Sequence, residues 1–414
     1  MSSRKLSIVL RAVLAIFIFT VTLFVTSICA AQSEKVLHSF NSTDGDDPEA
    51  GLVMDTRGNL YGTTEGGGYY GGGTVFQLSH KVGGGWAETV LHSFNIDPDG
   101  SDPHSGVIFD ARGNLYGTTF WGGAYSCGTV FQLRQQGVGR WREQVLYSFG
   151  SNGPFNDPNG SHPSAGLVLD AAGNLYGTTL GGGSYQRGTV FELSPNADGS
   201  WTEKVLYSFN ESAPQTELIF DAAGNLYGAT VTTVFELLPE PGGGWTEKTL
   251  YTFCSLTNCA DGIGPLGGLI FDTAGNLYGT TLGGGSYDWG TVFELSPQAG
   301  GGWTYKVLHS FNATGGVYPY RGPWGGLILD ARGNLYGTTV QGGAYNYGTV
   351  FELSPNADGG WTEKVLHSFD PKCHNDGYNP RAGLIMDVAG NLYGTTSEVG
   401  AYYHGSGTVF EITP

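Results

Sequence analysis

Short strand-like runs rich in Val, Leu, Tyr and Phe recur along the chain, and turn-forming Gly, Asp and Asn separate them. Apolar, aromatic and β-branched runs bounded by such residues predict β-strands and tight turns. The third set of runs shows the pattern, and its runs cover residues 166–170, 174–179, 188–193 and 203–209. We call these four runs A, B, C and D in chain order. The pattern predicts a protein dominated by strands.

The set of four runs occurs seven times. The pentapeptide Gly-Asn-Leu-Tyr-Gly recurs at spacings of 51 to 60 residues, and a period near 50 is typical of propeller blades. Four antiparallel strands joined by short turns make one blade, and seven blades close into a ring. The asparagines of the pentapeptides are Asn59, Asn114, Asn174, Asn225, Asn276, Asn334 and Asn391.

The two ends of the chain complement each other. Residues 34–40 form a run D that no blade precedes, whereas the chain ends at Pro414 after a run C. Seven complete blades therefore form only if the first strand completes the last blade. An open solenoid has no use for this permutation. The sequence predicts an all-β fold, a single seven-bladed β-propeller over residues 32–414, with its N-terminal strand in the last blade.

Composition indicates a folded and acidic protein. The 414 residues are 40% hydrophobic and 13% aromatic, which is enough to build a large core. Because each Gly inside a helix costs about 1 kcal/mol relative to Ala, the 70 glycines disfavour long helices. The formal net charge is −18. Since affinity for phosphates needs clustered basic side chains, we expect neither nucleic acid nor an anionic membrane surface as a partner.

The first 31 residues differ from the rest. Basic residues precede an uncharged apolar run over residues 12–28, and small residues follow it. This is the pattern of a secretory signal peptide that is cleaved near Ala31. The apolar run also reaches the lower limit for crossing a bilayer, so a retained N-terminal anchor is the alternative. We expect a secreted protein, extracellular or periplasmic.

Four cysteines follow this segment. Cys254 and Cys259 lie five residues apart and can form a local disulfide in an oxidising compartment, whereas Cys127 and Cys373 are isolated. No Cys-x-x-Cys pair occurs, so the sequence does not support a zinc ribbon.

The cores of the repeat resemble a known family. Residues 51–68 read GLVMDTRGNLYGTTEGGG, and residues 348–369 read GTVFELSPNADGGWTEKVLHSF. Both are similar to the Gloeobacter/Verrucomicrobium tandem repeat, called GloVer, and the A–B hairpin resembles NHL-type propeller blades. The resemblance covers nearly all of the chain after the signal segment. It implies a secreted or surface-displayed bacterial protein of unassigned activity, and it carries over no catalytic residue.

Three repeated positions have structural explanations. The Asp of each Asp-x-x-Gly-Asn turn between runs A and B caps backbone N–H groups. His and Tyr share one position in run D, which indicates packing rather than catalysis or metal binding. A Trp before run D fills the gap between blades. The residues are Asp55, Asp110, Asp170, Asp221, Asp272, Asp330 and Asp387 in the turns; His38, His92, His309, His367, Tyr147, Tyr207 and Tyr251 in run D; and Trp86, Trp141, Trp201, Trp245, Trp303 and Trp361.

Because antiparallel strands alternate in direction, the D–A and B–C loops lie on one face of the ring, which we call the loop face. Its B–C loops present tyrosines beside Asp and Asn, and flat apolar rings with nearby acceptors suit sugars. We therefore expect a binding or scaffold protein whose partner is an extracellular polysaccharide or another surface protein. The fourth unit lacks this Gly-rich loop. The predicted ligand-binding residues are Tyr70, Tyr125, Tyr185, Tyr287, Tyr345 and Tyr402, with Tyr403 as the alternative to Tyr402.

Two further functions remain open. A propeller-type hydrolase or lyase would use non-repeated polar residues of the loop face, among which no nucleophile, base and acid can be assigned. A structural surface protein would instead self-associate. No cofactor is predicted, because the acidic loop at residues 97–102 suggests calcium through Asp97, Asp99, Ser101 and Asp102 but lacks the Gly and distal Glu of a twelve-residue calcium loop. The non-repeated residues are His104, His162, Arg187, Arg321, His374 and His404.

Overall fold

Seven four-stranded antiparallel sheets make up the fold, as the repeat predicts. In the described part of the chain no helix is long and apolar enough to cross a membrane. The predicted signal segment, residues 1–31, lies outside the described residues. The computed structural model describes residues 34–137, 139–154, 156–312, 322–370, 376–398 and 406–414.

Each blade has a two-residue strand A at the channel and a long strand D at the periphery. The first strand, β1 (Glu34–Ser39), belongs to blade 7. Blade 1 contains β2 (Val53–Met54), β3 (Leu60–Thr64), β4 (Thr74–His80) and β5 (Trp86–Ser93). Blade 2 contains β6 (Ile108–Phe109), β7 (Leu115–Thr119), β8 (Thr129–Gln135) and β9 (Trp141–Ser148). Blade 3 contains β10 (Val168–Leu169), β11 (Leu175–Thr179), β12 (Thr189–Pro195) and β13 (Trp201–Ser208).

The remaining blades follow the same order. Blade 4 contains β14 (Ile219–Phe220), β15 (Leu226–Ala229), β16 (Thr233–Pro239) and β17 (Trp245–Thr252). Blade 5 contains β18 (Ile270–Phe271), β19 (Leu277–Thr281), β20 (Thr291–Pro297) and β21 (Trp303–Ser310). Blade 6 contains β22 (Ile328–Leu329), β23 (Leu335–Thr339), β24 (Thr349–Pro355) and β25 (Trp361–Ser368). Blade 7 adds β26 (Ile385–Met386), β27 (Leu392–Thr396) and β28 (Thr408–Ile412), and single helical turns occur at Ile96–Asp99 and Thr257–Cys259.

Both ends of the chain meet in blade 7. Strand β1 pairs with β28 in antiparallel register, with Glu34 opposite Ile412. Strand B of blade 7 also reaches blade 1, because the Thr395 hydroxyl donates to the Ala50 carbonyl at 3.2 Å. The predicted closure of the ring by the N-terminal strand is therefore confirmed.

The core consists of seven apolar clusters, and each one bridges two neighbouring blades. We call the boundary between two neighbouring blades a seam. At every seam the Phe after one strand D packs edge-on against the Phe of strand C in the next blade, as Phe94 does on Phe131 at 5.0 Å. The second Gly of each pentapeptide makes room for the Phe ring of strand C. A methyl group at Gly177 would lie 2.7 Å from Phe191 and 2.8 Å from Leu167.

The turn aspartates cap their turns in the same way in every blade. In blade 3, Asp170 accepts hydrogen bonds from the Ala172 amide at 2.9 Å, from the Asn174 amide and side chain at 2.8 Å each, and from the Tyr176 hydroxyl at 3.1 Å. Burial alone would raise the pKa of Asp170, but these donors outweigh burial and lower it. The predicted structural role of the seven aspartates is confirmed.

Candidate functional site

The central channel opens on the loop face through a ring of seven different residues. Each D–A loop ends in Pro, and the residue after that Pro points to the channel, a cavity of about 480 Å³ that the strands A line. Most other positions of the repeat are the same or similar in all blades, whereas this position differs in every one. We call the set the mouth ring, and it consists of Glu49, His104, Ser164, Gln215, Leu266, Trp324 and Arg381.

Three adjacent members of the mouth ring are linked. The Arg381 guanidinium forms an ion pair with Glu49 across the seam between blades 7 and 1. It also lies over the Trp324 ring, 5.4 Å from its centroid. Burial raises the pKa of Glu49 to about 7 despite the Arg381 charge. The Trp324 side chain is 39% exposed, so its ring is open to a ligand.

His104 follows Glu49 in the mouth ring. Its Nε2 lies 3.3 Å from Glu65 Oε1, and its ring stacks on Phe120 at 4.6 Å. Burial lowers the pKa of His104, but the hydrogen bond and charge of Glu65 outweigh burial and raise it. The same hydrogen bond lowers the pKa of Glu65. With Asp102, these side chains offer three possible metal-ligand atoms that all lie within 4.8 Å of one another.

An aromatic patch continues from His104 toward blade 3. Trp121 is 44% exposed, and its ring contacts His162 edge-on at 4.5 Å. His162, one of the non-repeated polar residues of the loop face, is buried, because Trp121 and Phe120 cover it. This patch has no equivalent in the other described blades, since the positions of Phe120 and Trp121 carry smaller or polar residues there.

One acidic side chain occupies the channel itself. Glu217 stands where six blades carry Gly, and a methyl group at Gly166 would collide with its carboxylate. The Glu217 side chain is open to the channel, but the surrounding protein removes most of the solvent around its carboxylate. This desolvation raises the pKa of Glu217.

Five of the predicted tyrosines lie on the loop face with exposed rings. In four of the loops the residue after the Tyr has left-handed backbone, as Gln186 does with φ of 60°, so the Tyr stands at the apex of a tight turn. The residue before it is bonded to strand D, as Ser184 is to the Ser208 hydroxyl at 3.2 Å. The exposed fractions are 54% for Tyr70, 51% for Tyr125, 61% for Tyr185, 59% for Tyr287 and 38% for Tyr345.

Other predicted residues are dispersed or lie outside the described residues. Asp99 Oδ2 contacts His92 at 3.1 Å, whereas Asp102 lies beside His104, so the acidic loop does not converge on one point. Arg187 is exposed on a B–C loop. The structure contains the disulfide between Cys254 and Cys259. Outside the described residues lie Arg321, His374, His404, Cys373, Tyr402 and Tyr403.

Sequence reasoning missed Glu49, Arg381, Trp324 and Trp121. Two signals could have found them. The residue after the loop Pro is the one that differs in all seven repeats, and three of the nine tryptophans do not belong to the repeated set before strand D. The three tryptophans outside the repeated set are Trp121, Trp324 and Trp289, and Trp289 lies in a B–C loop as Trp121 does.

The Gloeobacter/Verrucomicrobia repeat model matches residues 18–234 and 231–414. The chain belongs to this family. A search of curated protein sequences finds no match.

Solved structures share the fold of this repeat protein at low identity. Virginiamycin B lyase from Staphylococcus aureus is 11% identical, with a TM-score of 0.55, and the alignment covers 92% of this chain and 99% of that one. The periplasmic gluconolactonase of Pseudomonas aeruginosa is 16% identical, with a TM-score of 0.51, covering 85% and 99%. A protein named as the extracellular domain of a hybrid two component system from B. thetaiotaomicron is 11% identical, with a TM-score of 0.55, covering 92% and 39%. At such identities the likeness concerns the fold alone.

Proposed function

We propose that this protein is an extracytoplasmic binding propeller that recognises carbohydrate through its loop face. The observation that carries the proposal is the exposure of aromatic rings beside charged side chains on this one face. Trp121 and Trp324 are 44% and 39% exposed, and the five described tyrosines surround them on the B–C loops. Contiguous apolar patches on a folded surface mark interaction sites, and Trp121 forms such a patch with Phe120 and His104.

The two kinds of aromatic residue have different roles in this proposal. At the mouth, Trp324 offers a flat ring, while Arg381 and Glu49 offer a donor and an acceptor for sugar hydroxyls. The tyrosines recur from blade to blade, so each one makes a separate contact with a long chain. Several weak contacts to one polymer add up through high effective concentration. A polysaccharide fits this arrangement better than a single small sugar.

Calorimetry and a thermal-shift screen with polysaccharides test the proposal. We expect saturable binding that raises the melting temperature, since a ligand of the native ring stabilises it. Trp121→Ala and Trp324→Ala should each weaken binding at least about tenfold, because truncation of an aromatic anchor costs more than about 1.4 kcal/mol. Tyr185→Ala and Tyr287→Ala should weaken binding of the polymer more than that of a short oligosaccharide.

Val388→Ala provides the control, because this fully exposed side chain lies in an A–B turn, away from the loop face. It should bind as the wild type does. Absence of saturable binding across a glycan array, or equal affinities of the aromatic variants and Val388→Ala, would refute the proposal.

A hydrolase or lyase is the second candidate, and the pair His104–Glu65 favours it. An imidazole hydrogen-bonded to a carboxylate can act as an acid or base, and Asp102 would complete a metal site with the pair. The names of the structural neighbours suggest virginiamycin B and a gluconolactone as test substrates. Turnover that His104→Gln abolishes, but Tyr185→Ala does not, would support an enzyme. Absence of turnover with added divalent metal would favour the binding protein.

Export is part of the proposal. The disulfide between Cys254 and Cys259 supports it, because such bonds persist in oxidising compartments. N-terminal sequencing of the protein from the culture medium or periplasm should find a start near residue 32. A cytoplasmic protein that retains Met1 would contradict export.

A further inference from the structure

A repeated set of polar side chains lies at the seams between the outer strands, far from the mouth ring. At each seam the His or Tyr of one strand D faces a residue near the start of strand D in the next blade, which is Glu at six seams and Tyr305 at the seventh. His309 Nε2, for example, lies 3.3 Å from Glu363 Oε2. Where a D–A loop carries a suitably placed Asp, that carboxylate approaches the same point.

The seam between blades 6 and 7 concentrates three such groups. His367 comes from strand D of blade 6, Asp376 from the following loop, and Glu34 from β1, the strand that closes the ring. One ligand atom of each lies within 4.8 Å of the others. His367 Nε2 is 3.4 Å from Asp376 Oδ2, and the side chains are 0% and 4% exposed.

Several polar atoms of this set lack hydrogen bonds to the described residues. Both ring nitrogens of His367, Asp376 Oδ1 and Glu34 Oε1 are buried without such a partner. A buried polar atom left unpaired costs about 1–3 kcal/mol. One nitrogen of His367 and one oxygen of each carboxylate can reach a shared ligand, which would remove most of this cost. The carboxylates of Glu34 and Asp376 meet at this point, and a cation would relieve their mutual repulsion.

We propose that Glu34, His367 and Asp376 bind a divalent transition-metal ion that fastens the N-terminal strand to blade 6. Ligands of a tetrahedral ion at about 2.0 Å are separated by about 3.3 Å, close to the 3.4 Å between His367 and Asp376. One imidazole with two carboxylates suits Zn²⁺, Co²⁺ or Mn²⁺, whereas Ca²⁺ requires six to eight oxygen ligands.

In the proposed site, His367 has a role in addition to the packing that the sequence predicts for the strand D histidines. They do pack, since the His367 ring lies edge-on to Phe369 at 4.6 Å. The exchange with Tyr in other blades means that those seams lack the metal ligand. At the seam between blades 4 and 5, Tyr251 instead stacks on Tyr305 at 3.9 Å.

The neighbouring set His38, Asp44 and Glu88 is the competing site. It is more open, since His38 and Asp44 are 19% and 20% exposed. Both oxygens of Asp44 already accept hydrogen bonds from Asn41 at 2.8 Å. Asp376 accepts one through Oδ2, from the Asp370 amide at 2.8 Å, and its Oδ1 has no such partner among the described residues. The seam between blades 6 and 7 is therefore the better site.

The test uses the whole exported protein after removal of metal by a chelator. We expect one equivalent of Zn²⁺ by calorimetry, visible absorption bands on addition of Co²⁺, and a melting temperature that rises with Zn²⁺. His367→Tyr should weaken binding of Zn²⁺ at least tenfold. We expect the fold to accommodate this change, because Tyr147, Tyr207 and Tyr251 occupy the same position in blades 2, 3 and 4.

His92→Tyr is the control, because His92 Nε2 already has a hydrogen-bond partner in Asp99. It should bind Zn²⁺ as the wild type does. Glu34→Gln removes one ligand with little change of shape and should also weaken binding, which keeps the test decisive if His367→Tyr does not fold. Absence of saturable uptake of either ion, or loss of the bound ion in His38→Tyr but not in His367→Tyr, would overturn the proposal.

Discussion

The two faces of the ring are built from the same repeat but differ in how closely their residues repeat. On the face opposite the loop face, which we call the turn face, the seven aspartates receive the same four kinds of hydrogen bond in every blade, as Asp55 and Asp387 show. On the loop face, the mouth ring carries seven different residues. A contact that all blades need stabilises the blade, whereas a residue that one blade alone carries contributes nothing to the common architecture.

We therefore propose that the repeated positions of the turn face provide stability and that the mouth ring takes part in ligand recognition. Substitutions at the repeated positions of the turn face should lower the free energy of unfolding and leave ligand affinity unchanged. Substitutions at the mouth should do the reverse. Variants of the two regions, compared in one assay of stability and one of binding, therefore test the assignment.

The largest expected effect is that of Asp170→Ala on the turn face. The variant loses hydrogen bonds to two backbone amides, one side-chain amide and one hydroxyl. Because hydrogen bonds to charged groups contribute about 1.5–3 kcal/mol each and are not additive, we expect the free energy of unfolding to fall by about 2–4 kcal/mol. Urea denaturation measures this change.

Asp198→Ala is the matched control for that change. Asp198 also caps a turn, through the Ser200 amide and hydroxyl, but it is exposed and lies between strands C and D. We expect a much smaller shift of the urea midpoint. Equal shifts in the two variants would mean that the aspartates of the A–B turns have no special role in stability.

The repeated regions were also the ones that the sequence could predict. Each turn Asp has its partners within six residues of chain, and the two ends of the chain indicated the closure of the ring. The mouth ring could not be predicted in the same way. Glu49 and Arg381 are 332 positions apart in sequence, and only the curvature of the closed ring brings them together. The burial of His162 could not be predicted for the same reason, since it depends on the single-copy Trp121.

The next largest expected effect is a pH dependence of stability that the buried glutamates at the seams cause. Burial, with a smaller contribution from Asp157, raises the pKa of Glu203 to about 8, and Tyr147 also faces this group. The folded protein therefore holds more protons than the unfolded chain between the ordinary pKa of 4.5 and about 8. Stability falls as pH rises through this range. Glu34, Glu88 and Glu143 have raised pKa values from burial and act in the same direction.

The turn aspartates act in the opposite direction at low pH. Their hydrogen bonds outweigh burial and lower the pKa of Asp170 and its equivalents, so stability decreases as pH falls below their ordinary pKa of 3.8. Maximum stability should therefore lie at about pH 4–5. Thermal melts across this range without added metal measure the profile. A melting temperature that rises steadily from pH 5 to pH 8 would contradict it.

Glu203→Gln isolates one seam group in that profile. The variant should be more stable than the wild type at pH 8 by about 1–2 kcal/mol, a value reduced for screening by solvent, and should differ little at pH 5. Glu240→Gln, at an exposed position between strands C and D, is the control and should follow the wild-type profile. A constant difference between Glu203→Gln and the wild type at all pH values would indicate a change of packing instead of charge.

The smallest expected effect lies in the channel, where Glu217 replaces the repeated Gly. A methyl group at Gly166 would displace the flexible end of this side chain, while the backbone of Gly166 has no positive φ that would strain Ala. Gly166→Ala should therefore lower the free energy of unfolding by only about 0.5–1 kcal/mol. In the Glu217→Gly background the same change should cost nothing, because the collision is gone. Urea denaturation of the four proteins in this cycle measures the coupling. If the two changes have additive effects on the free energy of unfolding, Glu217 does not lie against Gly166 of blade 3. If Gly166→Ala is destabilising only when Glu217 is present, the two side chains are in contact, and a single-copy residue can occupy the channel at little cost to the stability of the ring.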